Sequence, residues 1–249
     1  MKTFIASVCL LTVFSFCYGT QLPSVFKKCN VKQPNFEKCL GDAIQGAIKL
    51  LKDPITELGL PCMDPYKEEN ITLEIGNATE GLRQAWKNLT IAGLSKPIAT
   101  NARWTSGSIT TLDLEVSYDQ KLLFTTDYQA HGAVLLLPVD VSSSYTCEFV
   151  KGGKIKSTYK IKPPKRRNGY FQLISTKVLF VPKKTKVTFD RFFENQCLTD
   201  AFNAEMNENW EGIWKYIDGF LGVYDAYFDA LFRSVLDKVP ADQIFDGLE

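Results

Sequence analysis

The last third of the chain carries a stripe of large apolar residues with helical spacing. Their steps of three and four residues match the period of an α-helix, at Phe202, Met206, Trp210, Ile213, Ile217, Leu221, Tyr224, Phe228, Leu231 and Val235. A helix of about 35 residues extends for roughly 50 Å at 1.5 Å per residue. Further aromatic residues widen the stripe, so a flat sheet could not bury them all. A strongly curved sheet around the helix would bury them and enclose an apolar interior; a solid core is the alternative.

A shorter helix and a set of strands are predicted ahead of this stripe. Residues 35–52 follow the same 3.6-residue period. Within residues 71–189 the pattern changes to the alternation of strands, as at Leu112, Leu114 and Val116, with turn residues between them. Helix, many antiparallel strands and a final long helix make an α+β arrangement. No Ser/Pro/Gly-rich linker interrupts it, so residues 20–249 are predicted to form one domain.

The first nineteen residues have the pattern of a secretory signal peptide. Lys2 precedes an apolar run over residues 4–16, and the small residue Gly19 ends the segment. The run is too short to span a bilayer. We therefore expect cleavage after Gly19 and a secreted, extracellular protein without stable membrane insertion.

Charge and motifs exclude several classes of function. The chain has 29 basic and 28 acidic side chains, and loss of Lys2 with the signal peptide would balance them. A nucleic-acid-binding protein needs a basic surplus to neutralise phosphates. His131 is the only histidine, and nucleophile-elbow, His-Glu-x-x-His and Walker motifs are absent. The sequence therefore predicts no enzyme, no metal site and no cofactor, and we interpret Asp113 and Glu115 as solvated strand residues.

Five cysteines follow the signal segment, and an oxidising compartment favours disulfides among them. We expect Cys29 to pair with Cys39 and tie the N-terminal segment to the first helix. We expect Cys147 to pair with Cys197 and pin a strand to the start of the long helix, contributing about 4 kcal/mol through loop closure. Cys62 would then remain unpaired.

Three glycosylation sequons begin at Asn70, Asn77 and Asn88. A modified sequon must face solvent, so the cluster predicts an exposed outer surface.

Basic residues are concentrated late in the strand region, at Lys160, Lys162, Lys165, Arg166 and Arg167 and again at Lys183, Lys184 and Lys186. If they formed one patch, the stretch near Lys165 to Arg167 could dock a membrane or a receptor. A solvated surface without function is the alternative.

Several segments, in order and spacing, resemble one insect family. They are Cys29 with Cys39, Asn88 to Ser95, Tyr128 to Gly132, Leu135 to Pro138, Phe192 to Asn195, Asn207 to Trp210 and Val239 to Phe245. The chain resembles the takeout and haemolymph juvenile-hormone-binding proteins. That resemblance implies the fold of the tubular lipid-binding proteins, a long C-terminal helix wrapped by a highly curved antiparallel sheet around an elongated apolar cavity. A second disulfide is commoner among the hormone binders.

The resemblance implies a monomeric carrier of one small apolar ligand, such as a juvenile-hormone-like terpenoid or a fatty acyl compound. The alternative is an extracellular interaction protein that keeps a structural lipid and acts through its surface. Buried phenols need hydrogen-bond partners, which makes Tyr128 and Tyr224 candidate ligand donors. The full set of candidate ligand-binding residues is Tyr128, Val134, Leu136, Trp210, Ile213, Ile217 and Tyr224.

Overall fold

The computed structural model describes residues 21–76, 81–134, 137–212, 214 and 223–248. Its strands are β1 (Cys29–Asn30), β2 (Tyr66–Gly76), β3 (Gly81–Ala92), β4 (Ala99–Thr105), β5 (Thr110–Tyr118), β6 (Leu122–Val134), β7 (Leu137–Phe149), β8 (Gly153–Lys162), β9 (Gln172–Pro182), β10 (Thr185–Phe189) and β11 (Phe245–Asp246). Its helices are α1 (Phe36–Leu50), α2 (Gln196–Glu208), α3 (Val223–Leu236) and α4 (Ala241–Ile244). The predicted α+β class, with a large antiparallel sheet and few helices, is confirmed.

The large strands form two antiparallel sheets that are connected at one junction. One sheet has the order β10-β7-β6-β3-β2 and the other β4-β5-β8-β9. Strand β7 leads into β8, and β9 leads into β10, across the junction between the sheets. Backbone hydrogen bonds continue through it, from Val150 N to Lys184 O (2.9 Å) and from Lys183 N to Gly152 O (3.2 Å). The two sheets are therefore joined by backbone hydrogen bonds at this junction.

Helix α1 lies close against β4, where the sequence supplies a glycine. A Cβ at Gly41 would come within 2.4 Å of the Thr100 carbonyl oxygen, so no larger residue fits this crossing. The predicted Cys29–Cys39 disulfide is confirmed, with the two Cα atoms 5.9 Å apart. Strand β1 pairs in parallel with β11, which holds the two ends of the described chain together beside α1.

The predicted C-terminal helix appears as α2 and α3, with part of the intervening chain outside the described residues. Helix α2 begins six residues before the apolar stripe because Asn195 caps it, accepting hydrogen bonds from Cys197 N (2.9 Å) and Leu198 N (3.4 Å). It ends at Glu208, and residues 210–212 and Trp214 are also helical. Ile213 and residues 215–222 lie outside the described residues, so a continuous long helix remains a prediction.

The predicted Cys147–Cys197 disulfide is wrong, because both cysteines are free. Cys147 pairs across the ladder with Val187, and the Val187 backbone bonds the side chain of Asn207. Cys197 lies ten residues before Asn207 on the same helix, about 15 Å along its axis at 1.5 Å per residue. A disulfide needs Cα atoms within about 7 Å. The thiol of Cys147 is buried, whereas Cys197 is exposed.

Candidate functional site

Two adjacent apolar pockets lie between α1, α3 and the inner face of the four-stranded sheet. The larger has a volume of about 190 Å³ and the smaller about 70 Å³. Both are lined by the same five side chains, Ile44 and Ile48 of α1, Leu51 directly after it, and Leu231 and Phe232 of α3. These shared residues form a common wall, so the pockets are neighbouring parts of one apolar region.

The helices supply this wall because each has an apolar face of helical period. On α1 the face begins at Leu40 and continues through Ala43, Ile44, Ala47 and Ile48, all of which line the larger pocket. On α3 the corresponding face consists of Leu231, Phe232, Val235 and Leu236. The apolar stripe of the sequence therefore contributes to the pocket at its C-terminal end.

The four-stranded sheet lines the pockets with side chains of two paired strands, in which every second residue is buried. On β5, alternate residues from Thr110 to Tyr118 are buried, and on β8 the buried set includes Ile155, Ser157, Tyr159 and Ile161. Leu112 and Ile161 line the larger pocket, whereas Leu114, Val116 and Ile155 line the smaller. The pockets therefore follow one another along the strands. The distance from Leu112 to Tyr118 is about 20 Å at 3.4 Å per residue.

Phe232 stands at the junction of the two pockets. Its ring stacks on that of Tyr159, with centroids 3.7 Å apart and planes 24° apart. Tyr159 lines the smaller pocket and Phe232 lines both. Phe232, like the other four shared residues, therefore lies between the two pockets.

The hydroxyl groups of the site are all on the smaller pocket, on Ser95, Tyr118, Ser157 and Tyr159. The larger pocket is lined by apolar side chains apart from Lys27. The Tyr118 hydroxyl donates to the Leu94 carbonyl oxygen at 3.0 Å and keeps its lone pairs for a second partner. Burial, with Asp64 nearby, raises the pKa of Tyr118 well above its ordinary value, so the phenol stays neutral. The residues that carry hydroxyl groups therefore lie at one end of the region, while the surface of both pockets is almost entirely apolar.

Asp64 holds the turn that places Ser95 beside the smaller pocket. Its carboxylate accepts from Gly93 N (2.8 Å), Ser95 N (2.9 Å) and Ser95 Oγ (2.5 Å). Gly93 has φ +101°, and a Cβ there would lie 2.7 Å from the Lys121 carbonyl oxygen. Glycine is needed at such a position. This turn gives a structural reason for the segment from Asn88 to Ser95 singled out in the sequence.

The predicted ligand-binding residues that the structure describes lie elsewhere in the interior. The Tyr128 hydroxyl donates to Gln84 Oε1 at 2.8 Å, its ring packs on Trp86 and Phe189, and burial raises its pKa to about 12. Tyr224 is buried against Phe180, with centroids 4.8 Å apart.

Trp210 is partly buried beyond the end of α2. Of Tyr128, Trp210 and Tyr224, none lines either pocket. Leu136, Ile213 and Ile217 lie outside the described residues, and Val134 is described only in its backbone, paired with Leu137. A ligand contact at these seven positions remains a prediction.

Sequence reasoning missed the pocket residues because they come from many separate elements and connecting segments. The period of α1 was recognised, but only as a face that packs. A clearer signal was present on β8, where Ser157 takes an inward position between Ile155 and Tyr159. A small polar residue within a buried alternation indicates a place where a hydroxyl has a role beyond packing.

The basic residues do not form a single patch, which corrects one sequence expectation. In the β8–β9 ladder Lys162 pairs with Gln172 at one end, whereas Lys183 follows Pro182, which pairs with Gly153 at the other end. The nine-residue separation is about 30 Å in a strand. Lys165, Arg166 and Arg167 therefore stand at the far end of the sheet from Lys183, Lys184 and Lys186.

Two of the three sequons are described, and both asparagines are exposed. Asn70 lies on β2 and Asn88 on β3; Asn77 and the predicted signal peptide lie outside the described residues. His131 is also exposed, 3.6 Å from Asp140. Glu115 forms ion pairs with Lys154 and Lys156, in agreement with a solvated role.

Within the described ranges, no helix is both long and apolar enough to cross a membrane. The same ranges contain no cluster of His, Cys, Asp and Glu side chains that could hold a metal ion.

Two connected antiparallel sheets with helices packed against them, and apolar pockets between helices and sheet, suit a protein that holds a lipophilic molecule. The chain belongs to the haemolymph juvenile hormone binding protein (JHBP) family, whose model matches residues 5–246. The family resemblance drawn from the sequence is therefore confirmed. No curated protein sequence matches the chain.

Two solved structures show the extent of the structural likeness. Takeout 1 of Epiphyas postvittana has 20% identity over 88% of this chain and 98% of its own, with a TM-score of 0.68. It shares the fold. A lipopolysaccharide binding protein has 12% identity over 73% of this chain and 39% of its own, with a TM-score of 0.34, too low to carry an argument.

Proposed function

We propose that this protein is a secreted carrier that holds one small lipophilic molecule between α1, α3 and the four-stranded sheet. The observation that carries the proposal is the pair of adjacent apolar pockets with hydroxyl groups at one end only. A mostly apolar pocket with a few placed polar groups is the usual form of a small-molecule site. Membership of a family named for juvenile hormone binding supports the same conclusion.

The polarity of the site indicates how a ligand would lie. An ester, epoxide or carboxyl group would meet the hydroxyls of Tyr118 and Ser157, and the hydrocarbon part would extend past Phe232 towards Leu112 and Ile161. Burial of hydrocarbon contributes about 0.8 kcal/mol per CH₂, so fifteen carbons contribute about 12 kcal/mol. Association costs of at least about 4 kcal/mol leave at most about 8 kcal/mol, which corresponds to micromolar binding.

The pocket volumes favour a ligand that spans both chambers. An engineered cavity of about 150 Å³ holds a benzene molecule, so the larger pocket, about 190 Å³, suits a group only slightly bigger than a ring. A terpenoid or fatty acyl chain would occupy both pockets and displace the Phe232 ring from their junction. The proposed ligand class is therefore an elongated apolar molecule with one polar end.

Displacement of a fluorescent apolar probe tests this proposal. Juvenile hormone, fatty acids, sterols and terpenoids would compete against the probe, and we expect displacement in the micromolar range by one class. Ala47→Phe places a ring in the larger pocket and should weaken that ligand at least tenfold. Lys49→Phe puts the same ring on the exposed side of α1 and serves as the matched control, with the melting temperature recorded for both.

Tyr128→Phe distinguishes this site from the one predicted from the sequence. It removes the hydroxyl of Tyr128 and leaves both pockets unchanged, so the affinity should stay within about twofold. If Tyr128→Phe weakens binding and Ala47→Phe does not, the ligand lies near Tyr128 and the proposed site is wrong. A probe that binds but is never exchanged over minutes would favour a structural lipid and a surface function.

A further inference from the structure

One end of the four-stranded sheet carries a concentrated positive charge. The exposed cations are Lys160 and Lys162 at the end of β8 and Lys165, Arg166 and Arg167 in the loop of residues 163–171. The sequence from residue 160 to residue 176 contains no acidic side chain. In the part of the chain that the structure describes, none of the nine ion pairs includes any of these five cations. The charge is therefore available to a partner.

Exposed apolar side chains lie at the same end of the sheet. Ile109 is 49% exposed, Tyr170 45% and Ile174 44%. Ile109 precedes Thr110, which pairs with Ile161, so it lies level with Lys162. Tyr170 belongs to the basic loop itself. Large exposed apolar residues beside Lys and Arg are the composition of surfaces that lie in the headgroup region of a membrane.

The base of the loop is fixed by buried contacts. Phe171 is buried, with its ring centroid 5.7 Å from that of Phe245 and 6.4 Å from that of Trp104. The Gly169 carbonyl oxygen accepts a hydrogen bond from Ala241 N at 2.8 Å. The cations therefore project from an anchored loop, which limits the entropy lost when they meet a charged surface.

The same end of the sheet adjoins the apolar pocket. Ile161 and Phe171 lie on either side of the basic loop, and both line the larger pocket. The hydroxyl-bearing pocket is farther along the strands, away from the loop. The apolar end of the proposed ligand site is thus the end next to the exposed cations.

We propose that this end of the molecule is a docking surface for an anionic lipid bilayer. The surface, called here the tip, consists of Ile109, Lys162, Lys165 to Arg167, Tyr170 and Ile174. Each basic side chain held at an anionic membrane strengthens binding about fivefold, and tyrosine prefers the membrane–water boundary. The full chain has a net charge of only +1, so attraction to the membrane arises from this local cluster. Exchange of a ligand at the membrane rests on the proposed function, whereas docking does not.

Vesicle co-sedimentation tests the proposal with the full secreted protein. We expect binding to vesicles that contain phosphatidylserine, little binding to pure phosphatidylcholine, and release by salt. The triple variant K165Q/R166Q/R167Q should lower the partition coefficient about 100-fold. The control K183Q/K184Q/K186Q removes the same charge from the far end of the sheet and should change it only a fewfold.

Equal losses for the two triple variants would mean a general charge effect and would overturn the proposal. If the unmodified protein does not bind phosphatidylserine vesicles, the proposal is also overturned. The tip would then face an acidic protein or solvent. Tyr170→Ser changes no charge and should weaken binding to the vesicles severalfold. An unchanged affinity would mean that Tyr170 does not contact the membrane. Probe displacement in solution should be normal in all variants, which separates failure of docking from failure of ligand binding.

Discussion

Two asparagine side chains of α2 complete the backbone hydrogen bonding of β10, and their removal should be costly. Strand β10 is an edge of its sheet, so its outward N–H and C=O groups need other partners. Asn207 accepts from Val187 N and donates to Val187 O, both at 2.7 Å. Asn203 makes the equivalent pair with Phe189, at 2.9 and 2.8 Å. Each amide acts as a short substitute for a neighbouring strand.

The substitution Asn207→Ala removes both bonds of Val187 and leaves its polar backbone groups under the helix. Val187 is only 5% exposed, and an unsatisfied buried group costs about 1–3 kcal/mol. Two such groups give an expected loss of about 2–6 kcal/mol, part of which water reaching the strand would offset. Domains are stable by about 5–15 kcal/mol, so the loss should be easy to measure.

Urea unfolding followed by far-ultraviolet circular dichroism is the appropriate assay, with the free energies compared at constant m-value. Asn209→Ala is the matched control, since that side chain is exposed and bonds Glu205 on its own helix; its effect should be within about 0.5 kcal/mol. The double variant Asn203→Ala/Asn207→Ala should lose less than the sum of the single losses, because one helix shift breaks both pairs. A loss for Asn207→Ala no larger than that of Asn209→Ala would refute the reasoning.

Three further predictions concern the thiols, the pocket and the tyrosines. A thiol reagent should modify exposed Cys197 in the native protein and Cys147 only after unfolding, because burial raises the pKa of the Cys147 thiol to about 12. If neither cysteine reacts even in the unfolded protein, the two are joined in a disulfide and the prediction is wrong. Phe232→Ala should cost about 3–5 kcal/mol of stability. In a series of ligands of increasing chain length, the variant should prefer longer chains than the unmodified protein. An unchanged preference would contradict the proposal that one ligand occupies both pockets. Burial raises the pKa of Tyr118 and, to about 12, that of Tyr128, above the value of about 10 in unfolded chains. The resulting stability is complete below pH 10 and is lost at higher pH. Tyrosinate absorbance should therefore appear at a higher pH in the native protein than in the unfolded protein. Titration at the same pH in both states would contradict the burial of these tyrosines.

Local periodicity predicted the elements that depend on short-range pattern. The 3.6-residue period predicts a helix over residues 35–52, and α1 is found at Phe36–Leu50. The alternation at Leu112, Leu114 and Val116 is the buried face of β5. The Cys29–Cys39 pair joins residues only ten apart, so it required little knowledge of the fold.

Features that depend on how elements meet could not be obtained in the same way. The predicted Cys147–Cys197 disulfide is wrong because Asn203 and Asn207 fix the direction and register of α2 along β10. In the sequence these asparagines are polar residues beside an apolar stripe, and that pattern does not indicate their contacts with a strand. The pocket required Ile44, Leu114 and Phe232 to come together from three distant segments. Their apolar character predicts burial, but only the tertiary arrangement determines that they surround space.

The edges of the two sheets also bear on how the protein behaves at high concentration. Helix α1 lies along β4, α2 bonds β10, and on β9 the Val178 N–H donates to Asp225 of α3 at 2.6 Å. Strand β2, the remaining edge in the described ranges, has no described helix bonded along it, and it carries Asn70. Open strand edges are templates for association between chains. A glycan attached at Asn70 would stand on that edge and keep crowded copies of the protein from adding strand to strand.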